Sequence, residues 1–457
     1  MRAGTPHHEF VVGVSKPRKG GTPASPRQRG ASAPAKPHKS ASPDSAQPHK
    51  SASSASAKPL KGGARALTKP RIDTFEAFAI AAPGVAPLLE RELRALGIRI
   101  GEVSAAGVAF TATMDTLLTI NLWSRLATRV IVRLAEFTAR DFATLEKQAA
   151  RVPWAKVVAP GTSVRFRVTC KKSRLYHSDA VAERVARGVT GAIRDVTVLG
   201  RASGDDHTDA DEPATDAHEQ LIIVRFEHDR CTISADSSGE LLHRRGWRKA
   251  VAKAPLRETL AAAMLAACEW KGDAPLVDPF CGSGTIGIEA ALLARNIAPG
   301  LTRQFALEQW PGVDAAWVKM KRAEARALAK PNVDVPILMS DRDEGACAAA
   351  VANAERAGVL ENVDTAHAAL SHVDLSELGA PGLVLTNPPY GLRVSEGADL
   401  RGLYSRLGDV VRSGGRDWQL ALLVPDRRLA AQTRLKFETL LRTSNGGIGV
   451  SVERSTT

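Results

Sequence analysis

Covalent and metal staples are missing from this sequence. Its five cysteines, Cys170, Cys231, Cys268, Cys281 and Cys347, lie far apart with no C-x-x-C pair. That pattern excludes both a disulfide framework and a zinc knuckle. Long apolar runs are missing too: no window approaches the roughly eighteen consecutive apolar residues of a membrane span. Both absences point to the cytosol. A third absence is hidden by the bulk charge of +13. Residues 1–71 hold fourteen Lys and Arg against only Glu9 and Asp44, whereas the rest carries 48 basic and 47 acidic residues. The ordered part therefore has no global excess of positive charge, and any nucleic-acid site there must be a local patch.

At 457 residues, with 44% hydrophobic and 24% charged, the chain is expected to form two or three ordinary globular domains. Residues 1–71 consist largely of Ser, Ala, Pro, Lys, His and Gly, and the hexapeptide Pro-His-Lys-Ser-Ala-Ser occurs at 37–42 and again at 48–53. Such a segment buries too little apolar surface to offset chain entropy, so a disordered basic tail is expected. It reads either as a tether for RNA or as a solvated extension.

From residue 75 the chain mixes strand and helix patterns. Strands are expected at 74–81, 129–136, 163–169, 221–227 and 231–236, with helices over 85–96 and 178–193; one strand and one helix fall within 107–127. An α+β region results. The acidic stretch 203–219 reads as a solvated loop, because its carboxylates lack calcium-loop spacing. Beyond residue 255, strands at 275–277, 337–339, 383–385 and 419–424 alternate with helices over 256–268, 286–294, 345–357 and 400–411. That alternation predicts a parallel, doubly wound sheet.

Three motifs in this second region carry chemistry. Asp278-Pro-Phe-Cys-Gly-Ser-Gly-Thr285 sits between a strand and a helix. Gly282 and Gly284 permit a tight turn and close backbone approach to a ligand at a helix N-terminus. No phosphate-cradling lysine follows, and Asp278 at the strand tip suits an amino group better than a pyrophosphate. The next strand ends at Asp341, where a carboxylate can accept both hydroxyls of a ribose, although the same residue could serve as a helix cap. Thr386-Asn-Pro-Pro-Tyr-Gly391 closes a third strand. Asn387 and the Pro388 carbonyl can each accept one N–H of an exocyclic amine, so that its lone pair faces a methyl donor. Pro388 and Pro389 stiffen that geometry, and Tyr390 offers a face on which a flipped base can stack.

With these motifs in place the sequence resembles the THUMP domain-containing class I RNA guanine-N2 methyltransferases, nearest to the first half of those acting on bacterial 23S ribosomal RNA. The resemblance covers residues 74–450. It also rests on Leu122-Trp-Ser-Arg-Leu-Ala127, Leu242-His-Arg-Arg-Gly-Trp247, the stretch 254–263 and Asn445-Gly446. It implies an α/β Rossmann-like methyltransferase domain at 237–457. Before it should come a ferredoxin-like lead-in at 72–130 and a THUMP RNA-binding domain at 131–236. The implied cofactor is S-adenosyl-L-methionine, bordered by Pro255, Asp278, Phe280, Cys281, Gly282, Gly284, Thr285, Asp341, Arg342 and Asn387. The implied partner is structured RNA, gripped at Lys171, Lys172, Arg174 and Arg187, with Arg244, Arg245 and Arg248 as weaker candidates. No metal is required, and no covalent cysteine intermediate is expected of Cys281. Where the family often carries an acid for the adenine amine, this sequence has Ala369, which leaves His367, Ser371, His372 or backbone groups as substitutes. The chain ends after one catalytic domain, so a second methylation activity is not expected. The alternatives that stay open are a transfer-RNA target, an N6-adenine methyltransferase, and a non-catalytic RNA-binding or ribosome-assembly factor.

Overall fold

The computed structural model describes residues 74–201, 219–249, 256–390 and 400–456. The basic tail, most of the acidic stretch, Pro255 and Gly391 lie outside the described residues.

The first half is one sheet with helices packed on it. Its elements are β1 (Phe75–Ala81), α1 (Ala86–Ala95), β2 (Ile100–Ser104), β3 (Gly107–Ala112), α2 (Met114–Trp123), β4 (Ala127–Thr138), α3 (Phe142–Ala149), β5 (Ser163–Lys171), α4 (Ser178–Ala192), β6 (Thr197–Arg201), β7 (Glu219–Glu227) and β8 (Arg230–Asp236). Period-two burial builds the core: Ile222, Val224 and Phe226 of β7 join the main cluster, while Leu221 and Ile223 form a small separate one with Ile131. On α4 the expected stripe Val181, Val185, Val189 is fully buried. Glu219 corrects the expectation of a loop up to that residue. It opens β7 and is held by Arg165 at 2.5 and 3.0 Å.

The strand order is β2-β3-β1-β4-β8-β7-β5-β6. β4 pairs with β1 on one side and β8 on the other. The boundary expected at 130/131 therefore falls inside a strand, and the two expected N-terminal domains share one continuous sheet.

The second half comprises α5 (Glu258–Ala267), β9 (Leu276–Asp278), α6 (Thr285–Ala294), α7 (Ala315–Ala327), β10 (Ile337–Asp341), α8 (Glu344–Ala357), β11 (Asp364–His367), β12 (Gly382–Thr386), α9 (Arg401–Ser413), β13 (Trp418–Val424), α10 (Arg427–Ala431), β14 (Lys436–Asn445) and β15 (Ile448–Thr456). Its sheet runs β11-β10-β9-β12-β13-β15-β14. The first five strands are parallel, as expected, and the hairpin β14–β15 adds an antiparallel edge. From β9 the chain winds outward to β11, then returns to β12 and winds the other way. The switch point between β9 and β12 is where open α/β sheets bind ligands.

A buried ionic seam joins the halves. Glu289, in the middle of α6 and fully buried, meets Arg245 at 3.3 Å and Arg125 at 3.9 Å. Arg125 follows α2 and also donates to the carbonyls of Leu292 and Ile297 at 3.1 and 2.7 Å. Its own backbone N–H and the Ser124 hydroxyl donate to Glu92 of α1. Gly300 donates to the Leu122 carbonyl at 2.9 Å, and Trp310 Nε1 donates to Gln220 at 2.7 Å. Arg245 is 2% exposed and committed to this seam, which removes it as an RNA contact.

Candidate active site

Asp278 ends β9 with its carboxylate aimed into the following turn. Oδ1 accepts from the Phe280 N–H at 3.2 Å and from the Thr386 hydroxyl at 2.6 Å. The second bond ties the tip of β9 to the tip of β12, its neighbour in the sheet. Burial raises this carboxyl to about 7; those two hydrogen bonds pull it down, and the nearby Asp341 pushes it up further.

After Asp278 the backbone turns through Gly282 and Gly284, at φ +52° and +83°, and α6 begins at Thr285 with no side chain capping it. Its first-turn N–H groups, beside a left-handed glycine, form an acceptor-seeking surface. Gly284 also needs its missing Cβ, which would stand 3.0 Å from the Ala350 Cβ. Asp341, at the tip of β10, accepts from Gly282 N–H at 3.0 Å through Oδ2 and from Asp343 N–H at 3.0 Å through Oδ1. Each carboxylate oxygen keeps a further acceptor position. Cys281 is buried and its thiol is pushed far up by burial, the opposite of an activated nucleophile.

Two anchors of this loop were not foreseen. Asn353, fully buried on α8, donates to the Ser283 carbonyl at 3.0 Å. Its signal in the sequence was a lone amide in an alanine-rich helix. Arg248 donates to the Thr285 hydroxyl at 2.9 Å and pairs with Glu258 at 3.1 Å. It is thus a structural clamp behind the loop, not an RNA contact. Burial raises Glu258 to about 7 against the pull of that guanidinium.

Asn387 follows directly on β12. Its Oδ1 is shielded from solvent and has no hydrogen-bond partner among the described residues. Pro388 is buried and Pro389 half-buried. The loop is gripped from two sides: Tyr404 of α9 donates to the Pro389 carbonyl at 3.3 Å, and Asn445 at the end of β14 donates to the Tyr390 hydroxyl at 2.9 Å. Tyr390 itself is 5% exposed and packed in the main core. This corrects the expectation of an open stacking face, because the ring is covered and its hydroxyl is engaged.

The remaining expected residues are more scattered. Phe280 packs against the cluster under α9. Arg342 is exposed and only its carbonyl is engaged, 3.0 Å from the His367 ring. Ala369 is exposed and begins a short turn whose Ser371 carbonyl accepts from Arg406 at 3.4 Å. Lys171, Lys172 and Arg174 are exposed together where β5 passes to α4. Arg187 is engaged by Glu183 and Glu146 at 2.7 and 3.6 Å, and Arg244 by Glu240 at 3.0 Å.

Comparison with known proteins agrees with this geometry. Residues 245–451 match the family profile described as the RMKL-like methyltransferase domain, and residues 76–131 match the RlmL ferredoxin-like domain. A protein of Synechocystis named "Putative RNA methyltransferase" is 32% identical over 372 residues, 81% of this chain and 94% of that one. The chain belongs to the RMKL-like methyltransferase family. Another family member, the ribosomal RNA large subunit methyltransferase K/L of Syntrophotalea carbinolica, is 36% identical over 386 residues. Those cover 81% of this chain but 52% of that protein, so the chain spans about half the length of such relatives. A solved structure described as a "putative methyltransferase complexed with SAH" superposes with a TM-score of 0.72 at 28% identity, covering 84% of this chain and 98% of that one.

Proposed function

We propose that this chain transfers the methyl group of S-adenosyl-L-methionine to an exocyclic amine of structured RNA in the cytoplasm, namely N2 of a guanine in 23S ribosomal RNA. The observation that carries the reading is the Oδ1 of Asn387 at the switch point of the sheet, shielded from solvent and without a hydrogen-bond partner among the described residues. A shielded acceptor without a donor is costly unless a ligand N–H satisfies it. An amine held by Asn387 Oδ1 and the Pro388 carbonyl turns its lone pair out of conjugation and toward the donor. The bound cofactor supplies an electrophilic sulfonium methyl. Asp278 holds its amino group, Asp341 its ribose hydroxyls, and the α6 N-terminus its carboxylate. Support for this cofactor comes from the relative solved with SAH, and support for an RNA target from relatives named as RNA methyltransferases. Residues 131–236 serve as the THUMP region that grips the RNA.

The test is methyl transfer from labelled cofactor to total RNA lacking the modification, using wild type and Asn387→Ala, with mass spectrometry of the digested nucleosides. N2-methylguanosine in large-subunit RNA, reduced on the order of 100-fold in the variant, is the expected result. N6-methyladenosine as product overturns the guanine assignment. Cofactor binding without transfer to any RNA overturns the enzymatic reading.

A further inference from the structure

Tyr176 is the most exposed large apolar side chain among the described residues, at 66%. A lone exposed aromatic is unremarkable, but the setting of this one is not. It lies on the connection from β5 to α4, after Lys171, Lys172 and Arg174, all exposed. Its ring centre stands 4.1 Å from that of His177, the planes 39° apart. Leu175 is 5% exposed and anchors the connection in the core.

The corner is rigidly built from three connections. Asp229, in the β7–β8 turn, accepts the Arg174 N–H at 2.8 Å through its side chain and the Ala139 N–H at 3.0 Å through its carbonyl. Its own N–H donates to the Ser173 hydroxyl at 3.0 Å, which donates in turn to the Lys171 carbonyl at 2.9 Å. The His228 N–H donates to that same carbonyl at 3.2 Å. Three of the seven non-glycine residues with positive φ among the described residues meet here: Lys172 at +47°, His228 at +52° and Asp229 at +63°. Backbone held in that region is costly and gathers where a loop must present a fixed surface. The acids nearby are Asp229, paired with Arg140 at 3.4 Å, Glu227, which faces Lys171 across the β5–β7 ladder, and Asp179 in the first turn of α4.

We propose that this corner binds a single-stranded stretch of RNA, with an unpaired base stacked on Tyr176 and the flanking phosphates on Lys171, Lys172 and Arg174. An aromatic face beside cations fits that chemistry, because stacking needs a bare base face that a duplex does not offer. The proposal rests on the reading that the chain acts on RNA, and adds that its grip on RNA selects unpaired nucleotides.

The experiment uses the full chain and a short unstructured RNA carrying 2-aminopurine, with the same sequence as a duplex for comparison. Binding is followed by anisotropy and stacking by 2-aminopurine emission. Wild type should prefer the single strand and quench the probe. Tyr176→Ala should bind roughly 5- to 150-fold more weakly, the change matching ~1–3 kcal/mol per stacked base, and should lose the quenching. Tyr176→Phe should keep both, and Lys172→Gln should lower the salt slope by about one. Equal affinity and quenching in Tyr176→Ala, or full retention in Tyr176→Leu, overturns the stacking role. A wild type that methylates RNA while Tyr176→Ala binds unchanged overturns this inference alone. A wild type that binds no RNA overturns it together with the RNA reading.

Discussion

Cofactor affinity should follow a bell-shaped pH profile whose acid limb belongs to Asp278. Burial holds this carboxyl at about 7, so in the unliganded protein it carries a proton at mildly acidic pH. An α-ammonium group needs the carboxylate, and that group titrates near 7.7–8.0. Below pH 7 binding must first expel the proton, and affinity should fall about tenfold per unit: roughly 10-fold at pH 6 and 100-fold at pH 5. Above about pH 8 the ammonium is lost and affinity falls again. Stability of the unliganded protein carries the opposite signature. The folded-state value lies above the ordinary 3.8, so the folded chain holds the extra proton between about pH 4 and 7. The Asp278 contribution to stability is therefore greatest at the acid end and is lost as pH rises through 7. Titration calorimetry with S-adenosylhomocysteine from pH 5 to 9, on wild type and Asp278→Asn, checks the argument. The variant should bind weakly at pH 7.5, lose the acid limb, and converge with wild type near pH 5. A wild-type affinity flat from pH 5 to 7.5, or an acid limb that survives in Asp278→Asn, refutes it.

Two further expectations concern the seam between the halves. Glu289→Gln leaves Arg245 and Arg125 without their buried counter-charge, 3.3 and 3.9 Å away, and should cost about 3–5 kcal/mol, read from the denaturant midpoint. Gly300→Ala would set a Cβ 2.5 Å from the Asn121 carbonyl oxygen and 2.8 Å from the Phe305 ring. It should cost about 1–3 kcal/mol by the same measurement.

The loops that carry chemistry were legible because each sits where a short buried strand meets a helix, and that change of period is visible residue by residue. Asp278, Gly282, Gly284, Asp341 and Asn387 all fall at such points. What was not legible depends on pairing across long separations. β2 has a burial pattern of one half-buried and four exposed residues, leaving no alternation to detect. The hairpin β14–β15 also escaped, although its turn supplies Asn445 to Tyr390. That single bond explains the misjudged tyrosine: an aromatic next to two prolines looks available until its hydroxyl finds a partner 55 residues away.

The seam through Glu92, Arg125, Arg245 and Glu289 has a geometric consequence for any substrate. It fastens α1 to the helix that follows the cofactor loop through largely buried charges and carbonyls, and such a joint resists bending. For a chain acting as proposed, the span between the surface that holds RNA and the atom that accepts the amine is then a fixed length. Such a chain would work as callipers: compliance would come from the RNA, and a nucleotide would become a target by lying at the right reach from the gripped segment.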